Sequence, residues 1–134
     1  IYIVSGARTP MGGLMGDLAT VPATELGSTA IRAAVERASI SAASVDEVFM
    51  GCVLPAGLKQ CPARQAARNA GLPDDVGAVT VNKACGSGMQ ATIFGIDSIR
   101  AGTKSSPSGR PAILRRAGWT GGCSPVITDR KACP

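Results

Sequence analysis

The chain has 134 residues, of which 45% are apolar, and its formal net charge is +5. This length fits one domain or part of one, with a core of Ala, Val, Ile and Leu, since only one Trp, one Tyr and two Phe are present. No apolar stretch is long enough to cross a membrane and no signal sequence is found, so we expect a cytoplasmic protein without a membrane partner. There is no His and the five Cys lack zinc-type spacing, so no metal site is expected.

The positive charge is unevenly distributed along the chain. Residues 1–103 carry eight basic and eight acidic side chains, whereas residues 104–134 carry six basic side chains and one acidic one. The second segment is rich in Pro, Gly, Ser and Arg and shows neither the helical nor the strand period. We therefore predict a domain over residues 1–103 and a basic tail over residues 104–134 that is disordered or the product of a frameshift. Because a tail with a single Trp is more typical of a solvated segment than of a nucleic-acid site, no nucleic-acid partner is expected.

The region before the tail predicts three strands, each followed by a helix. The strands are expected at residues 1–5, 45–53 and 78–81, and the helices at residues 23–38, 62–70 and 91–101. Thr24 is predicted to cap the first helix, Pro62 to begin the second, and Gly71 and Gly102 to end the second and third. The order β-α-β-α-β-α with right-handed crossovers predicts parallel neighbouring strands in a layered α/β fold.

One cysteine lies where the third strand meets the third helix. Cys85 is followed by Gly86 and Gly88, which we predict to permit a tight turn and the close approach of a ligand. The first N–H groups of a helix carry partial positive charge, which favours a thiolate over a thiol. Most free cysteines are buried and inert, but a purely structural cysteine needs no flanking glycines. We therefore predict that Cys85 is a nucleophile.

The helix that follows this cysteine is apolar on every side. Between Met89 and Ile96 the only strongly polar side chain is Gln90. A helix of this kind is expected to be buried between two layers. We therefore predict a central helix whose first turn presents Cys85 to a pocket.

Four stretches of the sequence resemble the thiolase family. The segment V-N-K-A-C-G-S-G-M-Q-A at residues 81–91 resembles its nucleophile motif, and agreement is also found at residues 4–10, 47–51 and 62–67. The resemblance implies an α-β-α-β-α fold built from two similar halves, of which this chain carries an incomplete N-terminal half. It also implies a homo-oligomer. Residues 1–103 carry this resemblance, and residues 104–134 do not match the family.

The resemblance also implies a chemistry. Cys85 would be the catalytic nucleophile of an acyl-CoA acyltransferase, accepting an acyl group as a thioester from acetyl-CoA or a 3-ketoacyl-CoA. Its backbone N–H would contribute to an oxyanion hole, and CoA thioesters would be substrates with no bound cofactor. Arg8 and Arg64 are interpreted as structural or surface cations rather than as ligands of CoA phosphates.

The same family uses a histidine in a Gly-His-Pro motif and a second cysteine in a Cys-x-Gly motif. The sequence contains no His, Cys123 is followed by Ser-Pro, and Cys133 is followed by Pro134, so neither motif is found. We therefore predict a truncated thiolase that is inactive as this chain alone.

Other interpretations stay open at this point. A β-ketoacyl synthase shares the fold and the position of the cysteine, although residues 82–89 favour a thiolase. A non-catalytic, thiolase-derived fragment that associates with a partner chain is the alternative function. A redox role has the weakest support because no Cys-x-x-Cys motif is present.

Overall fold

The computed structural model describes residues 1–102 and the backbone of residues 126–129. These residues contain four strands and three helices in chain order, with a 3-10 turn at Ala42–Ser44: β1 Tyr2–Gly6, α1 Ala23–Arg37, β2 Glu47–Gly51, α2 Pro62–Asn69, β3 Gly77–Val81, α3 Ser87–Ala101 and β4 Val126–Asp129. The predicted order β-α-β-α-β-α is therefore confirmed over the first 102 residues. Among these residues no helix has both the length and the apolar character needed to cross a membrane.

The strands pair in two separate two-stranded sheets within the described residues. Strands β2 and β3 are parallel, with Glu47 opposite Gly77 and Gly51 opposite Val81. Strand β1 pairs instead with β4, antiparallel, with an irregularity between Ile3 and Ser5. Parallel pairing is thus confirmed for β2 and β3, but the prediction that β1 has a parallel neighbour is wrong for the described residues.

Strand β4 lies in a segment where the sequence predicted no strand. Its first three residues are V-I-T, a β-branched run that favours an extended backbone. Because this run is short and lies among Pro, Gly and Arg, it is too weak to stand out from its surroundings in sequence. The other residues of the predicted tail, 104–125 and 130–134, lie outside the described residues.

Strand β2 is covered by helices on both of its faces. Val48 and Met50 belong to a buried cluster with residues of α1 and α2, such as Ile31 and Ala66. Phe49 belongs to a second cluster with Val81 and with Ala91 of α3. Successive side chains of a strand point to opposite faces. Helices α1 and α2 therefore pack on one face of the β2–β3 pair and α3 packs on the other, which makes an α/β layered fold.

Helices α1 and α2 approach each other closely because the residue at their crossing has no side chain. A Cβ added to Gly27 would lie 3.1 Å from Ala66 Cβ and 3.3 Å from Met50 Sδ. The start of α1 differs from its prediction. The residue before its first turn is Pro22, without a side-chain hydrogen bond to the helix, and Thr24 is a buried helical residue rather than a cap.

Helix α2 is held by two of its side chains. Arg64 donates hydrogen bonds to the carbonyl oxygens of Val76, at 2.7 Å, and Asp74, at 2.5 Å, in the segment that leads into β3. Gln65 donates from Nε2 to the carbonyl oxygens of Leu58 at 2.6 Å and Gln60 at 2.7 Å. Bonds from a charged group are stronger than neutral ones, so Arg64 fixes the approach to β3. These contacts support the structural interpretation of Arg64.

Helix α3 begins four residues earlier than predicted and ends, as predicted, at Gly102, whose φ of 69° is left-handed. Its burial differs from the prediction. Met89, Ile93 and Phe94 are 61%, 40% and 43% exposed. Within the described residues α3 packs on the sheet with one face only, so its other apolar face lies open.

Candidate active site

The predicted nucleophile lies at the carboxyl end of the β2–β3 pair. Strand β3 ends at Val81 and α3 begins at Ser87, so Cys85 lies in the turn between them. The prediction of a strand-to-helix junction at this residue is confirmed. Ligands of α/β folds commonly bind at this edge of the sheet.

The surroundings of this cysteine differ from the prediction. Cys85 is exposed rather than facing a pocket. A cavity of about 450 Å³ lies elsewhere, between the loop before α1 and the first turns of that helix, where Met11, Leu14, Leu18 and Leu26 line it. The exposure follows from the same cause as that of α3: nothing in the described residues covers this end of the helix.

The left-handed residue of the tight turn is an alanine and not a glycine. Ala84 has a φ of 44°, in the left-handed region, whereas Gly86 has a φ of −86° that any residue adopts. A left-handed φ costs a non-glycine residue about 1–2 kcal/mol. The surrounding contacts must therefore hold Ala84 in place. Gly86 contributes in another way, because a Cβ there would lie 3.3 Å from the carbonyl oxygen of Lys83.

Ser87 supplies part of that restraint. Its hydroxyl donates to the carbonyl oxygen of Ala84 at 2.6 Å and accepts from the backbone N–H of Lys83 at 2.8 Å. The backbone N–H of Ser87 donates to the same carbonyl at 3.0 Å. Ser87 is only 1% exposed, so these bonds are shielded from water.

Asn82 holds the other end of the turn. Its Oδ1 accepts from the backbone N–H of Ala84 at 3.1 Å, and its Nδ2 donates to the carbonyl oxygen of Val53 at 3.1 Å. The turn is thereby tied to the segment after β2. Sequence reasoning treated Asn82 and Ser87 only as parts of a motif, although Asn and Ser are typical of side-chain-supported turns.

Gly51 allows the first turn of α3 to approach the sheet closely. A Cβ added to Gly51, at the end of β2, would lie 2.6 Å from the backbone N of Gly88 and 2.7 Å from the carbonyl carbon of Ser87. The first turn of α3 therefore rests directly on the strand. This contact fixes the height of the turn above the sheet.

The electrostatic setting of the turn favours an anion. The N-terminal end of a helix carries partial positive charge. Lys83 is exposed and donates from Nζ to Gln90 Oε1 at 2.7 Å, which holds its ammonium beside the first turn of α3. Both features add positive potential at the end of α3 where Cys85 lies.

Two further thiols lie among the described residues. Cys52, just after β2, is 3% exposed, and burial raises the pKa of its thiol above the usual 9.0 despite a backbone hydrogen bond from Leu54. Cys61 is half-buried, with Sγ 3.7 Å from the carbonyl oxygen of Ala78. Cys61 also precedes a helix, as the N-cap residue of α2, but of the three described thiols only that of Cys85 is exposed. Residues 1–102 and 126–129 contain no group of three or more His, Cys, Asp or Glu placed to hold a metal ion.

Comparisons with known proteins agree with this arrangement. Residues 1–106 match the family model described as the thiolase N-terminal domain. Over 102 residues the chain is 56% identical to the acetyl-CoA acetyltransferase of Schizosaccharomyces pombe. The aligned residues cover 76% of this chain and 26% of that protein. Over 125 residues it is 54% identical to acetyl-CoA acetyltransferase 2 of Arabidopsis thaliana. That alignment covers 87% of this chain and 31% of the Arabidopsis protein.

A solved structure shows the same fold. The crystal structure of Acat5 thiolase from Ascaris suum in complex with coenzyme A matches with a TM-score of 0.77 and 33% identity, covering 84% of this chain and 28% of that one. The layers and the strand-turn-helix junction are thus those of a thiolase-type α/β protein. The chain belongs to the thiolase family, in which it matches the N-terminal domain. It spans 26% and 31% of the length of the two curated relatives.

Proposed function

We propose that the chain is the acyl-accepting part of an acetyl-CoA acetyltransferase, with Cys85 as its catalytic nucleophile. One observation carries this proposal: within the family-matched region, an exposed thiol lies in a braced turn directly before α3. The names of the relatives supply the substrate class, acetyl-CoA. The turn supplies the local chemistry.

The proposed step is a thioester exchange. The Cys85 thiolate attacks the carbonyl carbon of acetyl-CoA, a new S–C bond forms, and the C–S bond to CoA breaks. CoA leaves as a thiolate and takes up a proton from water. The backbone N–H of Cys85 is proposed to donate to the developing oxyanion, where the positive end of α3 adds to the stabilisation.

Further properties are proposed on the same basis. CoA thioesters are substrates rather than resident cofactors, and the Ascaris suum structure holds coenzyme A. Cytoplasmic placement is supported by the free thiols of Cys52, Cys61 and Cys85, which are typical of a reducing compartment. A homo-oligomer is supported by the open apolar face of α3.

Acetyl uptake tests the proposed function. The full chain is incubated with acetyl-CoA and digested, and the masses of its cysteine-containing peptides are measured by mass spectrometry. We expect one acetyl group on the peptide that contains Cys85, none there in Cys85→Ala, and continued uptake in Cys61→Ala as the matched control. Acetyl groups spread equally over all cysteines, or absent from Cys85, would contradict the proposal.

Acetyl uptake is expected without thiolysis by these 134 residues. A general base contributes about 10²–10⁴-fold to such reactions. The family's histidine motif is not present in this sequence. When the chain is supplied with acetoacetyl-CoA and free CoA, the conversion of the two into two molecules of acetyl-CoA should therefore stay at the uncatalysed rate.

The exposed face of α3 favours a second candidate function, a non-catalytic fragment that associates with a partner chain. Met89 and Ile93, four residues apart, form an exposed apolar surface on one helix, whereas the ring of Phe94 packs edge-on against Phe49. Size-exclusion chromatography of the purified chain tests this alternative. The alternative predicts an associated species that Ile93→Ser shifts toward the monomer, and a monomer at all concentrations would contradict it.

A further inference from the structure

The turn before α3 is the strained part of this site. Ala84 is held at a φ of 44°, and the side chains of Asn82 and Ser87 both form hydrogen bonds with its backbone. Strain of this kind persists only where the surrounding structure enforces it, and it is frequent at functional sites. Asn82 and Ser87 are the side chains that enforce the left-handed conformation of Ala84.

The two side chains act on both peptide groups of Ala84. Asn82 Oδ1 accepts from the Ala84 N–H at 3.1 Å, and the Ser87 hydroxyl donates to the Ala84 carbonyl at 2.6 Å. Ser87 also accepts from the Lys83 N–H at 2.8 Å, and Asn82 also donates to the Val53 carbonyl at 3.1 Å. Asn82 thus joins the turn to the segment after β2, and Ser87 joins it to the first turn of α3.

The consequence falls on the next residue along the chain. Rotating the backbone of Ala84 out of the left-handed region would turn the following peptide group, and with it the direction in which the side chain of Cys85 leaves the turn. The backbone N–H of Cys85 belongs to the same peptide group. One restraint therefore sets both the thiol and the proposed oxyanion donor.

We propose that Asn82 and Ser87 are positioning residues for Cys85, whose side chains fix the left-handed turn at Ala84 and thereby aim the thiol. This inference rests on the proposed function of Cys85. It assigns no contact with substrate to either residue. A displacement of about 1 Å at a reacting group can lower a rate by 10²-fold, so we expect losses of about 10- to 100-fold.

The test compares two buried serines in the full chain. Ser87→Ala removes the restraint, and Ser28→Ala is the matched control, because Ser28 is 3% exposed and donates to the carbonyl of Glu25 at 2.8 Å with the same three-residue spacing. Asn82→Ala is the second variant, chosen because Asn82 is exposed and its truncation leaves no cavity in the core. Acetyl uptake on Cys85, its alkylation by iodoacetamide and the urea midpoint are measured for each.

We expect Ser87→Ala and Asn82→Ala to slow both reactions at Cys85 by about 10-fold or more. Ser28→Ala is expected to change these rates by less than about 2-fold, even if its urea midpoint falls as much as that of Ser87→Ala. Ala84→Gly combined with Ser87→Ala is expected to regain part of the lost rate, since glycine adopts the left-handed φ without strain. Rates in Ser87→Ala and Asn82→Ala equal to those of Ser28→Ala would overturn the inference. If the unmodified chain takes up no acetyl group, the proposed function fails, and the alkylation rates still decide the positioning role.

Discussion

Replacing Gly51 with alanine is expected to lower the free energy of unfolding by about 3 kcal/mol or more, a large part of the 5–15 kcal/mol of a typical domain. The added Cβ would lie 2.6 Å from Gly88 N, 2.7 Å from Ser87 C and 2.9 Å from Gly88 Cα. All three are backbone atoms, so no flexible side chain can move aside. The first turn of α3 would have to lift from the strand, and Cys85 would move with it.

Urea unfolding followed by far-ultraviolet circular dichroism measures this effect. Gly13→Ala is the matched control, because a Cβ there meets no atom within 4 Å and its backbone φ is not left-handed. We expect its midpoint to stay close to that of the unmodified chain. Equal midpoints for Gly51→Ala and Gly13→Ala would show that the strand and the helix do not touch as described.

The order of elements and the place of Cys85 could be predicted from local sequence. Pro62 begins α2, Gly102 ends α3, and a β-branched run before residue 82 forms β3, as the sequence indicated. These signals act within a few residues of the element that they define. For the same reason the strand-to-helix junction at Cys85 was predictable.

The details of the turn could not be predicted in this way. Ala84 carries the left-handed φ, although alanine gives no sequence signal for that conformation. The close approach of α3 to the sheet depends on Gly51, far from α3 in sequence. Contacts between residues far apart in sequence follow from the packing of the layers, which no local pattern shows.

The burial of α3 illustrates a second limit. Its apolar composition predicted contacts on every side, whereas Ile93 and Phe94 are exposed among the described residues. Composition records the surroundings for which a helix is suited. It does not say that those surroundings lie within the same stretch of chain.

The largest expected contrast in reactivity is between Cys85 and Cys52. Cys85 is exposed in its turn before α3, whereas Cys52 is 3% exposed. Burial raises the pKa of the Cys52 thiol above 9.0, so at lower pH this group stays protonated and unreactive. Because Cys52 is buried and Cys85 is exposed, we expect Cys52 to react much more slowly than Cys85 near pH 8. Cys61 is half-buried and is expected to lie between them.

The central claim is that the fold presents one particular sulfur for acyl transfer, and its most direct test is the rate at which iodoacetamide modifies each cysteine. The rates are measured peptide by peptide in the folded full chain and again in urea. We predict that among Cys52, Cys61 and Cys85 the last reacts first in the folded chain, because its sulfur is the exposed one, and that this order is lost in urea, where all three become accessible. If Cys52 or Cys61 reacts first when folded, or if the same order and spread of rates persist in urea, the account is contradicted.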